Sequence, residues 1–306
     1  MSSSAKNWDI QCAYQFVPYA HWGENHVIEL DSMQLSYSTR KGGFMHSAIS
    51  PLDSFSIGVV LECKGVATFD CTKLSKGDIV FFDDAKAYKF MSKDEIKVAI
   101  ISISNTRLTH LKPILIQAIG YYMKDINEIV ITKLQSILDE YTNTTSLQLQ
   151  KTEDEILSML ITLFNTQTPL KAKLTKGETT VFEILEKIYG HMDGEISIKS
   201  LAKEYSLSEH TLQKSFKTLF GFTPKHFLSL LKLNHVHHDL KYADKASSSV
   251  SLIAQKWGFK HMGRFSAYYS ELFEEKPSVT LKREYFFEEN MINKCASRQD
   301  EIVLYT

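Results

Sequence analysis

The residues with the most chemistry to offer fall in two short runs. Ser208, His210, Thr211, Gln213, Lys214 and Lys217 lie within ten positions of one another, and Lys260, His261, Arg264 and Tyr268 within nine. These are mainly cations and hydrogen-bonding side chains, which suit recognition of an anionic, hydrogen-bonding surface, and no catalytic residue is expected. Gln213 can pair bidentately with adenine and Lys214 can reach guanine, each contact contributing about 1–3 kcal/mol of discrimination. Equally, Gln213 and Lys217 can touch phosphates alone, as most contacts to a duplex do.

The elements that must position these side chains form a duplicated pattern. At an offset of 52, Ser197, Ile198, Leu201, Ala202, Tyr205 and Leu207 correspond to Ser249, Val250, Ile253, Ala254, Trp257 and Phe259. After one inserted residue, Leu212, Phe216, Leu219, Phe220 and Pro224 correspond to Phe265, Tyr269, Leu272, Phe273 and Pro277. Each copy predicts a short helix, a tight break at 206–208 or 258–260, and a second helix with one apolar face at i, i+4, i+7. That is the grammar of a helix-turn-helix. A solenoid unit is the plain alternative, but two copies are too few to stack into a core.

Charge agrees with the recognition reading. Between Ile196 and Leu272 stand eleven lysines and arginines against five acids, a net charge of +6 in a chain that totals −1. The excess lies where phosphate must be met, and the rest of the chain is left at about −7. Six histidines share the span, His210, His226, His235, His237, His238 and His261, and a neutral imidazole can still donate to phosphate.

The motif L-A-x-x-x-x-L-S-x-x-x-L-x-x-x-F-K over 201–217, F-G-F-T-P over 220–224, K-L-N-H-V over 232–236 and I-A-x-x-x-G-F over 253–259 together resemble the DNA-binding domain of the AraC/XylS family of bacterial transcription regulators. The likeness covers about 178–285. It implies that His210 and Lys214 occupy positions that often meet bases. The second copy departs from the pattern: Ala267 stands opposite Lys214, and Phe273 runs into Glu274, where the first copy has Gly221. A left-handed residue at Glu274 would cost about 1 kcal/mol. The second unit is therefore expected to read sequence weakly, with Arg264 its best base contact and Lys260 on phosphate.

Pro224 is placed to open a helix that joins the units, with Phe227, Leu230, Leu231, Leu233, Val236 and Leu240 at helical spacing. About 17 residues give roughly 26 Å, enough to present two recognition helices to major grooves about 34 Å apart. One of Ser247, Ser248 or Ser249 is expected to cap the second unit.

The remainder of the 306 residues leaves room for a second domain. Through residue 106 the signals are β-prone runs divided by Gly, Pro, Asp and Lys: His26 to Ser38, Phe55 to Leu61, Val66 to Phe69, Ile79 to Phe82 and Ile96 to Ile103. The fold class expected is α+β, an N-terminal cupin-like β-barrel or jelly roll with flanking helices and a C-terminal all-α domain of two helix-turn-helix units joined by a linker helix. The resemblance implies an effector-sensing role for the barrel. Phe44, Phe55, Phe69, Phe81, Phe82, Tyr88 and Phe90 are expected mostly in its core. His21, His26 and His46 lack metal-ligand spacing, the four cysteines lack C-x-x-C spacing, and no metal or other cofactor is expected. Amphipathic stripes over 107–165 either pack on the barrel or pair two chains. Residues 166–177, with one proline, read as linker, 178–285 as the DNA-binding domain, and 286–306 as a tail without a reading.

No apolar run approaches a membrane span, and the first residues lack a secretory pattern, so a cytoplasmic, nucleoid-associated location is expected. The reading is a sequence-specific regulator, an activator by family likeness, that is not an enzyme. Its expected partners are double-stranded promoter or operator DNA, RNA polymerase, a small effector or protein partner, and a second copy of the chain, with no membrane. The alternatives are a metal-dependent cupin enzyme fused to a DNA-binding module, and a regulator controlled by protein contact or by abundance. The effector-binding residues are unknown from sequence.

Overall fold

Apolar residues recur at every second position along Met33, Leu35 and Tyr37 and along Phe55, Ile57, Val59 and Leu61, and that period of two gives the largest sheet one buried face. The computed structural model describes residues 8–18, 23–70, 72–83, 87–108, 115, 118–119, 121–124, 128–141, 146–171, 175–189 and 196–283. Strands β1 (Asp9–Gln15), β2 (Gly23–Glu29), β3 (Met33–Arg40), β4 (Phe44–Ile49), β5 (Ser54–Cys63), β6 (Ala67–Phe69), β7 (Thr72–Leu74), β8 (Ile79–Phe82), β9 (Ala87–Ser92), β10 (Ile96–Ser104), β11 (Tyr121–Met123) and β12 (Leu170–Lys171) form two sheets. One is seven-stranded, in the order β12-β11-β8-β5-β10-β3-β2, and the other runs β1-β4-β9-β6-β7. The expected barrel is thus a two-sheet arrangement that does not close.

His26 to Ser38 is not one strand. It is the β2–β3 hairpin, with His26 opposite Tyr37 and Ile28 opposite Leu35, and the turn at Leu30 to Ser32 explains why the alternation along the run is loose. Phe55, Ile57, Val59, Ile79, Phe81, Ala99, Ile101 and Ile103 point to one face of the large sheet. Against that face pack α1 (Glu128–Tyr141) and α2 (Ser146–Thr166), through Val130, Ile131, Leu134, Ile137, Ile156, Leu160 and Leu163. The described part of the 107–165 stripes therefore serves this core. Much of the first expected stripe, including Leu111, lies outside the described residues. The buried carboxylate of Glu153 in α2 accepts from the amide and hydroxyl of Ser32, both at 2.7 Å, and ties the helix to the hairpin turn. Phe44, Phe55, Phe81, Phe82 and Tyr88 are buried as expected; Phe69 and Phe90 are half-buried.

Two compact units result. One gathers Met1–Ile10, Trp22–Lys41 and Ser47–Lys173; the other gathers Gln11–His21, Gly42–His46 and Leu174–Thr306. The second unit thus recruits two N-terminal stretches that sequence reading places wholly with the strands. Within the span read as linker, Leu170 and Lys171 form β12 against β11, and Lys176 already begins α3 (Lys176–Tyr189).

The helices of the second unit follow the predicted duplication. They are α4 (Ile198–Glu204), α5 (Glu209–Phe220), α6 (Pro224–Tyr242), α7 (Val250–Lys256), α8 (Met262–Phe273) and α9 (Pro277–Lys282). Ser197, Ser208, Thr223 and Ser249 cap four of them with side-chain oxygens that accept from the first-turn amides, so Ser249 is the serine that opens the second copy. The 19 residues of α6 give a rod about 29 Å long.

At the ends of the second helices the copies differ as expected. Gly221 takes φ 74° after α5, and Glu274 is held at φ 55° after α8. Glu274 has a Cβ in the left-handed region and Gly221 does not. Replacing Glu274 by Gly is expected to raise stability by about 0.5–1 kcal/mol, seen as a higher melting temperature; an unchanged or lower value would show that the strain is relieved elsewhere.

Candidate nucleic-acid interface

Both reading helices are set by the same backbone turn. In the first unit Ser206 is left-handed at φ 54°, its amide donates to the Lys203 carbonyl at 3.1 Å, and the Leu207 amide donates to Ala202 at 2.9 Å. In the second, Gly258 is left-handed at φ 84°, its amide donates to Gln255 at 2.9 Å, and Phe259 donates to Ala254 at 3.0 Å. These paired bonds close the first helix of each unit in a Schellman turn and aim the next helix. Leu212, Phe216 and Leu219 of α5, and Phe265, Tyr269 and Leu272 of α8, are buried beneath it.

On α5 the predicted residues divide into two groups. His210, Gln213, Lys214 and Lys217 are exposed together with Glu209. Ser208 is the cap, accepting from the Thr211 amide at 3.0 Å, and its hydroxyl lies 2.8 Å from that of Thr211. Thr211 is half-buried. A Cβ added to Gly177 on α3 would sit 3.1 Å from the Thr211 methyl and 2.6 Å from the Ser215 hydroxyl, so Gly177 is what lets α3 seat against this face. Ser208 and Thr211 therefore shape the helix, and His210, Gln213, Lys214 and Lys217 form its open face.

On α8, Lys260, His261, Arg264 and Tyr268 are exposed, Tyr268 by 53%. His261 is the N-cap residue but makes no side-chain cap bond. At the position matching His210 stands Gly263, with open space around any added Cβ, and at the position matching Lys214 stands Ala267, exposed. The second helix thus has the same backbone and a sparser face.

The six histidines do not all face outward. His235 and His237 do not face phosphate, because α6 turns them inward. His235 stacks on Trp257 at 4.2 Å and 20°, and burial pushes its pKa down to about 4. His237 stacks on Phe273 at 4.1 Å, and burial pushes its pKa down to about 3. Only His210, His226 and His261 of the six are exposed. Asp239 joins α6 to α7: its carboxylate accepts from Lys256 at 2.8 Å and from the Trp257 indole at 2.9 Å. Burial alone would raise its pKa, yet hydrogen bonds from His238, Lys256 and Trp257 outweigh that and hold it below the usual carboxylate range.

His237 also starts a hydrogen-bond chain across three helices and the turn between two of them. Its Nδ1 is 2.6 Å from the Tyr269 hydroxyl, which is 2.7 Å from the Thr280 hydroxyl, which donates to Glu275 at 2.6 Å; the other Glu275 oxygen accepts from Arg283 at 2.6 Å. Since the Thr280 proton goes to the carboxylate, Tyr269 donates to Thr280 and His237 Nδ1–H donates to Tyr269.

Two capped helix-turn-helix units on one rod, with an exposed cationic and amide-bearing face on the first reading helix, define a tandem DNA-binding domain. Residues 201–283 match the family model described as "Helix-turn-helix domain". Over 98 residues the chain is 33% identical to the probable thc operon regulatory protein of Rhodococcus erythropolis, covering 32% of this chain and 30% of that one. Over 109 residues it is 30% identical to the XylDLEGF operon transcriptional activator of Pseudomonas putida, covering 36% and 34%. The match thus spans about a third of the length of these relatives. Over this domain the chain is similar to transcription regulators of the AraC/XylS type. Among solved structures, the chain is also similar to a probable AraC family transcriptional regulator from Rhodopseudomonas palustris, with 31% identity, a TM-score of 0.32, and 34% of this chain and 96% of that one covered.

The sequence carried a signal for one buried histidine that composition hides: His237 follows Leu230 and Leu233 at helical spacing and precedes Leu240. No periodicity marks residues 14–16, which the structure adds to this unit.

The lowered histidine pKa values give a pH dependence. As pH falls below 6.5 the unfolded chain takes up protons that folded His235 refuses until about pH 4, so stability is lost across that window. His235→Phe keeps a ring on Trp257 and removes the buried Nε2 that has no partner. The variant is expected to be at least as stable at pH 7 and to lose melting temperature less steeply from pH 6.5 to 4; a slope equal to wild type would assign the acid sensitivity elsewhere.

Proposed function

We propose that the chain is a sequence-specific, DNA-binding transcription regulator of the activating kind, whose C-terminal unit grips promoter or operator DNA. The observation that carries this reading is the pair of equally built helix-turn-helix units, the first with His210, Gln213, Lys214 and Lys217 on its exposed face; on this reading His210, Gln213 and Lys214 meet base edges and Lys217 a phosphate. Arg264 is the main base contact of the second unit, with Lys260, His261 and Tyr268 beside it. Ser208 and Thr211 hold the first helix and reach DNA only at its edge. Because Gly263 and Ala267 offer no reading group, base changes opposite α8 cost less affinity than changes opposite α5.

As an activator the protein works in the cytoplasm at the nucleoid, beside RNA polymerase. The N-terminal unit senses a small effector or a protein partner, and a second copy of the chain pairs with the first. One cleft of the described N-terminal residues is too small for an effector. The apolar cleft lined by Ile103, Leu108, Leu115, Leu160 and Phe164 has a volume of ≈ 30 Å³, whereas small-molecule sites run to about 300–1,000 Å³. Among the described residues no group of three or more His, Cys, Asp or Glu is placed to hold a metal ion.

Genome-wide mapping of bound sites supplies the DNA for the test. Lys214→Ala is expected to reduce discrimination against a mismatched site by about 1–3 kcal/mol. Lys217→Ala is expected to weaken all sequences alike and lower the slope of log affinity against log salt by about 1. Equal slopes and equal discrimination in the two variants would overturn the role assignment.

A further inference from the structure

We propose that the extended run Tyr14, Gln15 and Phe16 is a working part of the DNA-reading unit, a strap that fixes the mutual placement of its two helix-turn-helix units through Asn234. The inference rests on the DNA-binding reading and adds a positioning role to it.

Asn234 lies in the middle of α6 and is fully buried. Its Oδ1 accepts from the Gln15 amide at 2.8 Å, and its Nδ2 donates to the Gln15 carbonyl at 2.8 Å. This is the pairing a neighbouring strand would offer, made by one side chain. Nδ2 also donates to the Leu230 carbonyl at 2.8 Å, so both amide protons are used. The Gln15 side chain donates to the Leu272 carbonyl at 2.6 Å, in the last turn of α8, where carbonyls lack helical partners. It also donates to Val17 at 3.0 Å. On one side Phe16, 1% exposed, meets Phe222 at 5.9 Å and Phe227 at 5.0 Å in the core of the first unit. On the other, Tyr14 lies 5.7 Å from His235, which stacks on Trp257 of the second.

Three consecutive residues thereby touch the first unit, the joining rod and the second reading helix. An apolar plug could fill the same space, but the two-point amide pairing fixes register as well. A slip by one residue would turn Tyr14 and Phe16, which share one face of the extended run, to the opposite face and leave the buried Asn234 amide unsatisfied.

The test uses the full chain with Gln15→Ala, which cuts the tie to Leu272 and leaves the backbone pair, and Asn234→Ala, which removes the pair. Each is titrated against duplex carrying a mapped site and against versions with one or two base pairs inserted between the half-sites. The wild type is expected to prefer the native spacing, and in either variant that preference shrinks by about three- to tenfold, the scale of a lost hydrogen bond. Gln15→Ala keeps the comparison available if Asn234→Ala fails to fold. A spacing preference equal to wild type in a folded variant overturns the strap. If the wild type prefers no fragment at all, the DNA-binding reading itself fails. The strap is then judged by amide hydrogen exchange without DNA: faster exchange over 262–276 in Gln15→Ala upholds it, and unchanged exchange overturns it.

Discussion

The burial of α6 on nearly all its sides is the constraint on which the DNA-reading unit depends. A helix in water usually has a polar face, but Phe227, Leu228, Leu230, Leu231, Leu233, Asn234, Val236 and Leu240 are all buried. Different partners cover different sectors. Phe216 of α5 lies 5.7 Å from Phe227, Trp257 after α7 stacks on His235, Phe273 of α8 stacks on His237, and Gln15 pairs with Asn234. Each neighbour is positioned against the rod, so the two reading helices inherit their relationship from it more than from direct contact with each other.

Much of this was legible in the sequence, for a physical reason. Short helices between tight turns leave a strong periodic record: Ser197, Ser208 and Ser249 mark their starts, and Phe265, Tyr269 and Leu272 mark the buried face of α8. Strands β5, β8 and β10 were equally plain as β-branched runs. Less visible were β4 and β9, where Met45, His46, Lys89 and Met91 interrupt the alternation, and the β2–β3 turn, which has neither glycine nor proline. The inward turn of His235 and the recruitment of Gln15 depend on contacts between residues far apart in sequence. Side-chain type alone assigns a histidine in a basic segment to the surface. Only packing moves it.

The two units share a backbone and differ in what they display. Ser206 and Gly258 adopt the same left-handed turn although one has a side chain and the other does not. The buried triads are equivalent in place, Leu212, Phe216 and Leu219 against Phe265, Tyr269 and Leu272. On the open faces the match ends, with His210 and Lys214 facing Gly263 and Ala267 in the correspondence. Steric demands have preserved the frame, and nothing internal obliges the outer side chains to agree. The same separation lets the second unit take up interior polar groups, such as Tyr269 and Thr280, that the first does without.

The chain from His237 to Glu275 has a direction. Each hydroxyl has one proton, and the carboxylate at the far end, already engaged by Arg283, only receives. Every link upstream must then point the same way, and the imidazole has no choice of which nitrogen bears its hydrogen. The tautomer of a ring in the middle of α6 is dictated from the turn beyond α8. A change of charge at that rim would therefore reverse or scramble the proton order deep inside the domain, with scarcely any displacement of heavy atoms.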